Sequence, residues 1–125
     1  MIKPRPLPKQ RVQIPFERSF TQSEFSRLSR GFVAGRMEDR WHVFFRDPWL
    51  TFVRSWSGFC VYKVRIERDG AEYTVAKVLI NRDRRQYGGD DTREEATLLS
   101  FLIDGMLVRT RDFRRARQRF TIYRS

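Results

Sequence analysis

A chain of 125 residues, 40% of them hydrophobic and eleven of them Phe, supplies a core for one domain and hardly for two. Its single Cys excludes an intramolecular disulfide, and its single His leaves a conventional zinc set short of ligands. The net charge of +11 is uneven: residues 1–20 carry +4, residues 109–125 carry +6, and residues 21–108 carry only +1.

The first sixteen residues have Pro at 4, 6, 8 and 15, which denies them a helix and favours extended chain. Val12, Ile14 and Phe16 alternate, so the end of this segment is expected to lie along an edge of the domain. Thr21-Gln-Ser-Glu24 has the form of a capping box and opens a short helix over about 21–30, closed by Gly31. From Trp41 the period becomes strand-like. Strands are expected over Trp41–Phe45, Leu50–Ser55, Phe59–Glu67 and Tyr73–Asn81, separated by Arg46-Asp47-Pro48, Trp56-Ser57-Gly58 and Asp69-Gly70. Thr92-Arg-Glu-Glu95 reads as a second capping box. Ala96, Leu99, Leu102, Ile103 and Met106 then form the apolar stripe of a helix over 92–107.

A type I′ turn centred on Asp69-Gly70 sets a register: Ile66 opposite Tyr73, Val64 opposite Val75, Tyr62 opposite Lys77 and Cys60 opposite Leu79. A three-residue hairpin with left-handed Gly58 places Arg54 opposite Cys60, Phe52 opposite Tyr62 and Leu50 opposite Val64. One face then holds Leu50, Phe52, Tyr62, Val64, Ile66, Tyr73, Val75 and Leu79. The other carries Lys63, Arg65, Glu67, Glu72 and Thr74, mixed and solvated. The fold class expected is α+β: a four-stranded antiparallel meander packed against a C-terminal helix, with a short N-terminal helix. Residues 17–108 form the domain, between a Pro-rich basic segment (1–16) and an Arg-rich C-terminal segment (109–125).

Met37-Glu-Asp-Arg-Trp41, Leu50-Thr-Phe-Val-Arg54-Ser-Trp-Ser-Gly58, Asn81-Arg82-Asp83 with Gln86-Tyr87, and Leu102-Ile103-Asp104 together resemble a family of small uncharacterised bacterial proteins. The resemblance covers roughly residues 15–108. It implies those fold boundaries and no activity, and the Arg-rich stretch after Val108 looks like an addition to the family pattern.

Four candidate chemistries stand out. In the expected register Arg54 and Lys77 share a face with Tyr62, beside Trp56. Two cations next to a phenol and an indole suit a phosphate or carboxylate ligand, with Trp56 stacking on a ring. The competing reading pairs Arg54 with Asp39 or Asp83 and makes Trp56 a plug at the sheet end. Asp83, Asp90 and Asp91 suggest carboxylate ligands, but a solvated loop leading into a helix N-terminus accounts for them, and no metal is expected. Cys60 and His42 are a nucleophile and base in name only, since a mid-strand thiol is poorly reactive. No Gly-rich phosphate loop or Ser-His-Asp order is present. Finally, Arg109, Arg111, Arg114, Arg115, Arg117 and Arg119 alternate with Phe113, Ala116 and Phe120 at helical spacing, suiting an acidic protein partner or non-specific nucleic acid.

The function expected is a non-enzymatic binding module for an anionic ligand, with Arg54, Trp56, Tyr62 and Lys77 as its contacts and no cofactor. The alternatives are a scaffold docking an acidic protein partner and nucleic-acid binding through the Arg-rich tail. No apolar run approaches the roughly 18 residues of a membrane span. Met1-Ile2-Lys3-Pro4 lacks the form of a secretory signal, so a cytoplasmic location is expected.

Overall fold

A computed structural model of the chain describes residues 3–108. In chain order its elements are β1 (Arg11–Ile14), β2 (Ser19–Phe20), α1 (Gln22–Leu28), β3 (Trp41–Arg46), β4 (Trp49–Arg54), β5 (Cys60–Asp69), β6 (Glu72–Asn81) and α2 (Thr92–Leu102), which continues as a wider π-helical stretch over Ile103–Val108. All strands form one antiparallel sheet in the order β1-β6-β5-β4-β3, with β2 also on β6. The meander of β3 to β6 is as expected, but the sheet has six strands and not four. The alternating end of the Pro-rich segment lies on the free edge of β6, with Ile14 opposite Val78. Pro15 has no N–H to continue that ladder, and the chain pairs again with β6 only at Ser19 and Phe20.

The first helix starts where its capping box says. The Thr21 hydroxyl accepts from Glu24 N–H at 3.1 Å while the Glu24 carboxylate accepts from Thr21 N–H at 2.9 Å. Gly31 follows with φ +70°, which lets Phe32 bridge to Val43 on the outer edge of β3 through Phe32 N–H to Val43 O at 2.9 Å and its reciprocal at 2.7 Å. The second capping box is corrected. Asp91, not Thr92, caps α2, accepting from the Arg93 and Glu94 amides at 3.1 Å each. Glu95 is thereby released from any capping duty, and it is buried.

Two bulges correct the expected register. The hairpin turn is Gly70-Ala71, with Asp69 opposite Glu72. Gly70 alone has positive φ, +63°, which is the pattern of a II′ turn and not of a I′ turn. One residue is then inserted at Ala76, so Ile66 faces Val75 while Arg65 faces Lys77, Val64 faces Val78 and Tyr62 faces Ile80. Lys77 therefore leaves the apolar face and does not meet Tyr62. On the other side of β5 a bulge at Val61 puts Cys60 opposite Val53 and not Arg54. Cys60 and Leu79 leave the expected face for the opposite one.

The helices cover the face built from Val43, Leu50, Phe52, Tyr62, Val64, Ile66, Val78 and Ile80, with Leu28 from α1 and Leu99, Leu102, Ile103, Met106 and Leu107 from α2 and its continuation. The opposite face is closed only at one end, where Leu7 packs on Val53 and Cys60 and Arg5 N–H bonds Gly58 O at 2.8 Å. Its other end is uncovered by any described element. Arg18 pairs with Asp104 at 2.7 Å, tying the approach to β2 onto the π-helical stretch.

A Cβ at residue 31 would run into the Val43 carbonyl that holds Phe32, and the positive φ strains any L side chain there. Gly31→Ala should lower stability by more than about 2 kcal/mol in denaturant unfolding, the left-handed penalty plus the displaced bridge. Gly35→Ala, with nothing within 4 Å of its Cβ, should stay within about 0.5 kcal/mol.

Candidate functional site

Two of the sequence segments that carried the family resemblance meet at one end of the sheet. The turn Arg36–Asp39 precedes β3, and the hairpin corner Ser55–Gly58 follows β4. Asp39, fully buried, ties them together. Its carboxylate accepts from the amides of Gly35 and Arg36 at 3.2 and 3.1 Å, and its carbonyl accepts from the Ser55 hydroxyl at 2.8 Å. Ser55 N–H donates to Arg40 O at 2.9 Å. Between the two segments opens a cleft of about 570 Å³ lined by Met37, Glu38, Arg40, Arg54 and Trp56. A second hollow of about 410 Å³ adjoins it, sharing Met37 and Trp56 and reaching His42. Met37 and Trp56 are 75% and 67% exposed, the large apolar residues that the core does not claim at this end.

Arg54 is the group this end is built around. Its guanidinium lies 5.1 Å from the Trp41 ring centroid, a cation–π contact worth about 0.5–2 kcal/mol. Among the described residues no carboxylate comes within ion-pair distance of it. Partial burial, and then the charge of Arg40, push its pKa down, while Tyr87 and Tyr62 act the other way. Two guanidinium groups thus face the cleft against one carboxylate, that of Glu38.

The buried acids Asp39, Asp83 and Glu95 are engaged elsewhere. Asp39 holds backbone amides. Asp83 pairs with Arg85 at 3.1 Å and accepts from its amide at 3.0 Å, which keeps the Asp83 carboxyl below the usual carboxylate range. Glu95 takes Arg82 in a fork at 2.9 and 2.6 Å and accepts from the Tyr87 hydroxyl at 2.6 Å. Burial and the Glu95 contact raise the Tyr87 pKa, so this phenol stays protonated and donates. Asn81 donates to Cys60 O at 2.7 Å and to Gln86 Oε1 at 2.9 Å, and its own Oδ1 accepts from Asp83 N–H at 2.7 Å.

Of the four contacts put forward from sequence, Arg54 and Trp56 come together in the cleft. Tyr62 lies in the core behind it, fully buried, its ring 5.8 Å from Trp41 and its hydroxyl donating to Glu95 O at 3.0 Å. Lys77 is exposed on the opposite sheet face. Arg40 and Met37 were missed as contacts, although both stand in the Met37–Trp41 string that the resemblance quoted. Cys60 and His42 do share a face, but Val53 stands between them in the row. The His42 Nδ1 accepts from Ala34 N–H at 2.9 Å, so neutral His42 carries its proton on Nε2. Among the described residues no group of His, Cys, Asp and Glu is arranged to hold a metal ion, and no helix is long and apolar enough to cross a membrane. The Arg109, Arg111, Arg114, Arg115, Arg117 and Arg119 contacts lie outside the described residues. No family model, curated protein or solved structure matches the chain.

Removing Glu95 strands the Arg82 guanidinium without its fork partner. Glu95→Ala should cost about 2 kcal/mol in denaturant unfolding, less than for a fully enclosed pair because Arg82 is partly exposed. Glu67→Ala, which breaks the exposed Arg65 pair, should change stability by less than about 0.5 kcal/mol. Burial pushes the Cys60 thiol from its ordinary 9.0 up to about 12. A thiol raised in the folded state stabilises fully below its unfolded pKa and progressively less as pH climbs through the interval up to the folded value. Cys60 should therefore resist a disulfide reagent at pH 8 in native buffer and react at once in denaturant; rapid labelling of native protein would contradict its burial.

Proposed function

We propose that this protein is a non-enzymatic binding module whose Arg40–Arg54–Trp56 cleft takes a small anionic ligand of phosphate or nucleotide type. The observation that supports this best is Arg54 itself: a half-buried guanidinium with no described carboxylate within ion-pair distance, placed next to a second cation. Like charges held together in a partly desolvated place repel, and an anion bound between them removes that repulsion and supplies the missing partner. Arg suits the task because its planar fork engages a phosphate or carboxylate through two parallel hydrogen bonds. The exposed indole of Trp56 offers a flat apolar wall for a ring attached to such an anion, and a volume of about 570 Å³ admits a nucleotide-sized molecule.

The surroundings favour binding over catalysis. Cys60 faces the other side of the sheet, and the Tyr62 hydroxyl is spent on a backbone carbonyl. Glu95 is locked by Arg82 and Tyr87, so it is not free to move protons. Glu38 stands at the cleft wall and sets a bias toward ligands that also offer a donor.

A thermal-shift screen of nucleotides, sugar phosphates and small polycarboxylates tests this reading. A true ligand at 100 times its dissociation constant should add about 2.7 kcal/mol of stability and change the Trp56 emission. Arg54→Ala should abolish the shift while leaving the unliganded protein folded. A screen in which no anion raises the melting temperature, or a shift that survives Arg54→Ala, would remove the cleft from the account.

A further inference from the structure

The opposite sheet face keeps the mixed set Lys63, Arg65, Glu67, Glu72 and Thr74 that the alternation predicts, but one row across its uncovered end is free of acids. The Ala76 bulge turns Lys77 onto that face, and direct cross-strand partners then line up from β3 to β6: Arg46 opposite Trp49, Trp49 opposite Arg65, Arg65 opposite Lys77. At about 4.8 Å between neighbouring strands this row is about 14 Å long, and it contains three cations, one indole and no acid. Lys63, one step along β5, lies 5.0 Å from the Trp49 ring centroid, and Arg65 lies 5.6 Å from it. Glu67 pairs with Arg65 at 2.8 Å, and the acids Asp69 and Glu72 are at the hairpin tip, beyond the row.

We infer that this open face binds single-stranded nucleic acid, in a site separate from the Arg54 cleft and independent of it. An antiparallel sheet with helices on one side and a bare cation–aromatic row on the other has the two parts such a strand needs. Guanidinium and ammonium groups spaced across several strands follow the phosphates, and the indole gives a base a flat partner. Leu7 and the segment around it close the face only at its Val53–Cys60 end, so the strand crosses β3 to β6 along the Arg46–Lys77 row. With its cations engaged on phosphates, the row has no group left to read base edges, so recognition is independent of sequence. A rigid duplex offers its phosphates but not its stacked bases to a sheet, so single strands are preferred.

The full chain should be titrated into labelled oligo-dT and oligo-U of fifteen nucleotides, and into a duplex of equal length, at several salt concentrations. Binding should weaken with salt and favour the single strands. The triple change Arg46→Ser, Lys63→Ser and Lys77→Ser removes half-buried or exposed side chains and should leave cooperative unfolding intact. It should flatten the log K versus log salt slope by about 2, at roughly 0.7 per lost phosphate contact. Trp49→Ala should lower affinity about ten-fold, and Trp49→Phe should restore most of it, which loss of charge alone does not explain. Arg54→Ala should leave oligonucleotide affinity within about two-fold, so failure of the cleft reading and failure of this one are separable. Wild-type affinity retained by the triple variant and by Trp49→Ala places any binding elsewhere and overturns the inference. So does equal affinity for duplex, or binding of the face to an acidic peptide or anionic vesicles with none to oligonucleotides.

Discussion

The fork between Arg82 and Glu95 is the interaction on which the rest depends. It joins the end of β6 to the first turn of α2, and so fixes the helix over the core face of the sheet. It also decides which charges are left over. With Glu95 held by Arg82 and Tyr87, Asp83 by Arg85, and Asp39 by the amides of its own turn, each buried carboxylate already has donors on it. Arg54 has the Trp41 ring and no described acid within ion-pair distance. A half-buried charge in that condition relies on solvent or a ligand for compensation, and the cleft in front of Arg54 admits either.

Two inserted residues give the sheet two different faces. Val61 turns Cys60 away from the core, and Ala76 does the same for Lys77. Without the second, Lys77 would stand opposite Val64 on the hydrophobic face, where an ammonium has no partner. With it, the lysine joins Arg65 on the outer face and the apolar alternation resumes with Val78 and Ile80. The Ala76 bulge therefore serves the core and the surface together: it keeps a lysine out of one and adds it to the cations on the other.

Much of the architecture was legible from residue pattern alone. The four long strands, the Thr21–Glu24 box, the left-handed Gly58 and the helix from Thr92 rest on local signals: alternation, cap chemistry and turn residues. The two short strands on β6 were less legible, because an edge segment broken by Pro15 leaves little periodicity to read. The register failed where local reasoning has no information. A bulge inserts one residue without any change in composition, and every side chain beyond it changes face. That single miss moved Lys77 out of the candidate site and hid the outer row. The site itself was half legible: Arg54 and Trp56 were found by their strange company in a hairpin, whereas Arg40 and Met37 reach the cleft only through a turn that folding brings across from β3.

The central claim, that Arg54 is an open anion site while Arg82 is a closed one, is tested most directly by the side-chain Nε–Hε signals of the arginines in nuclear magnetic resonance spectra. Titration with inorganic pyrophosphate should move the Arg54 signal saturably and leave that of Arg82 in place, since its fork already holds Glu95. An Arg54 signal that does not respond, or that drifts without saturation alongside exposed arginines such as Arg85, would contradict the account.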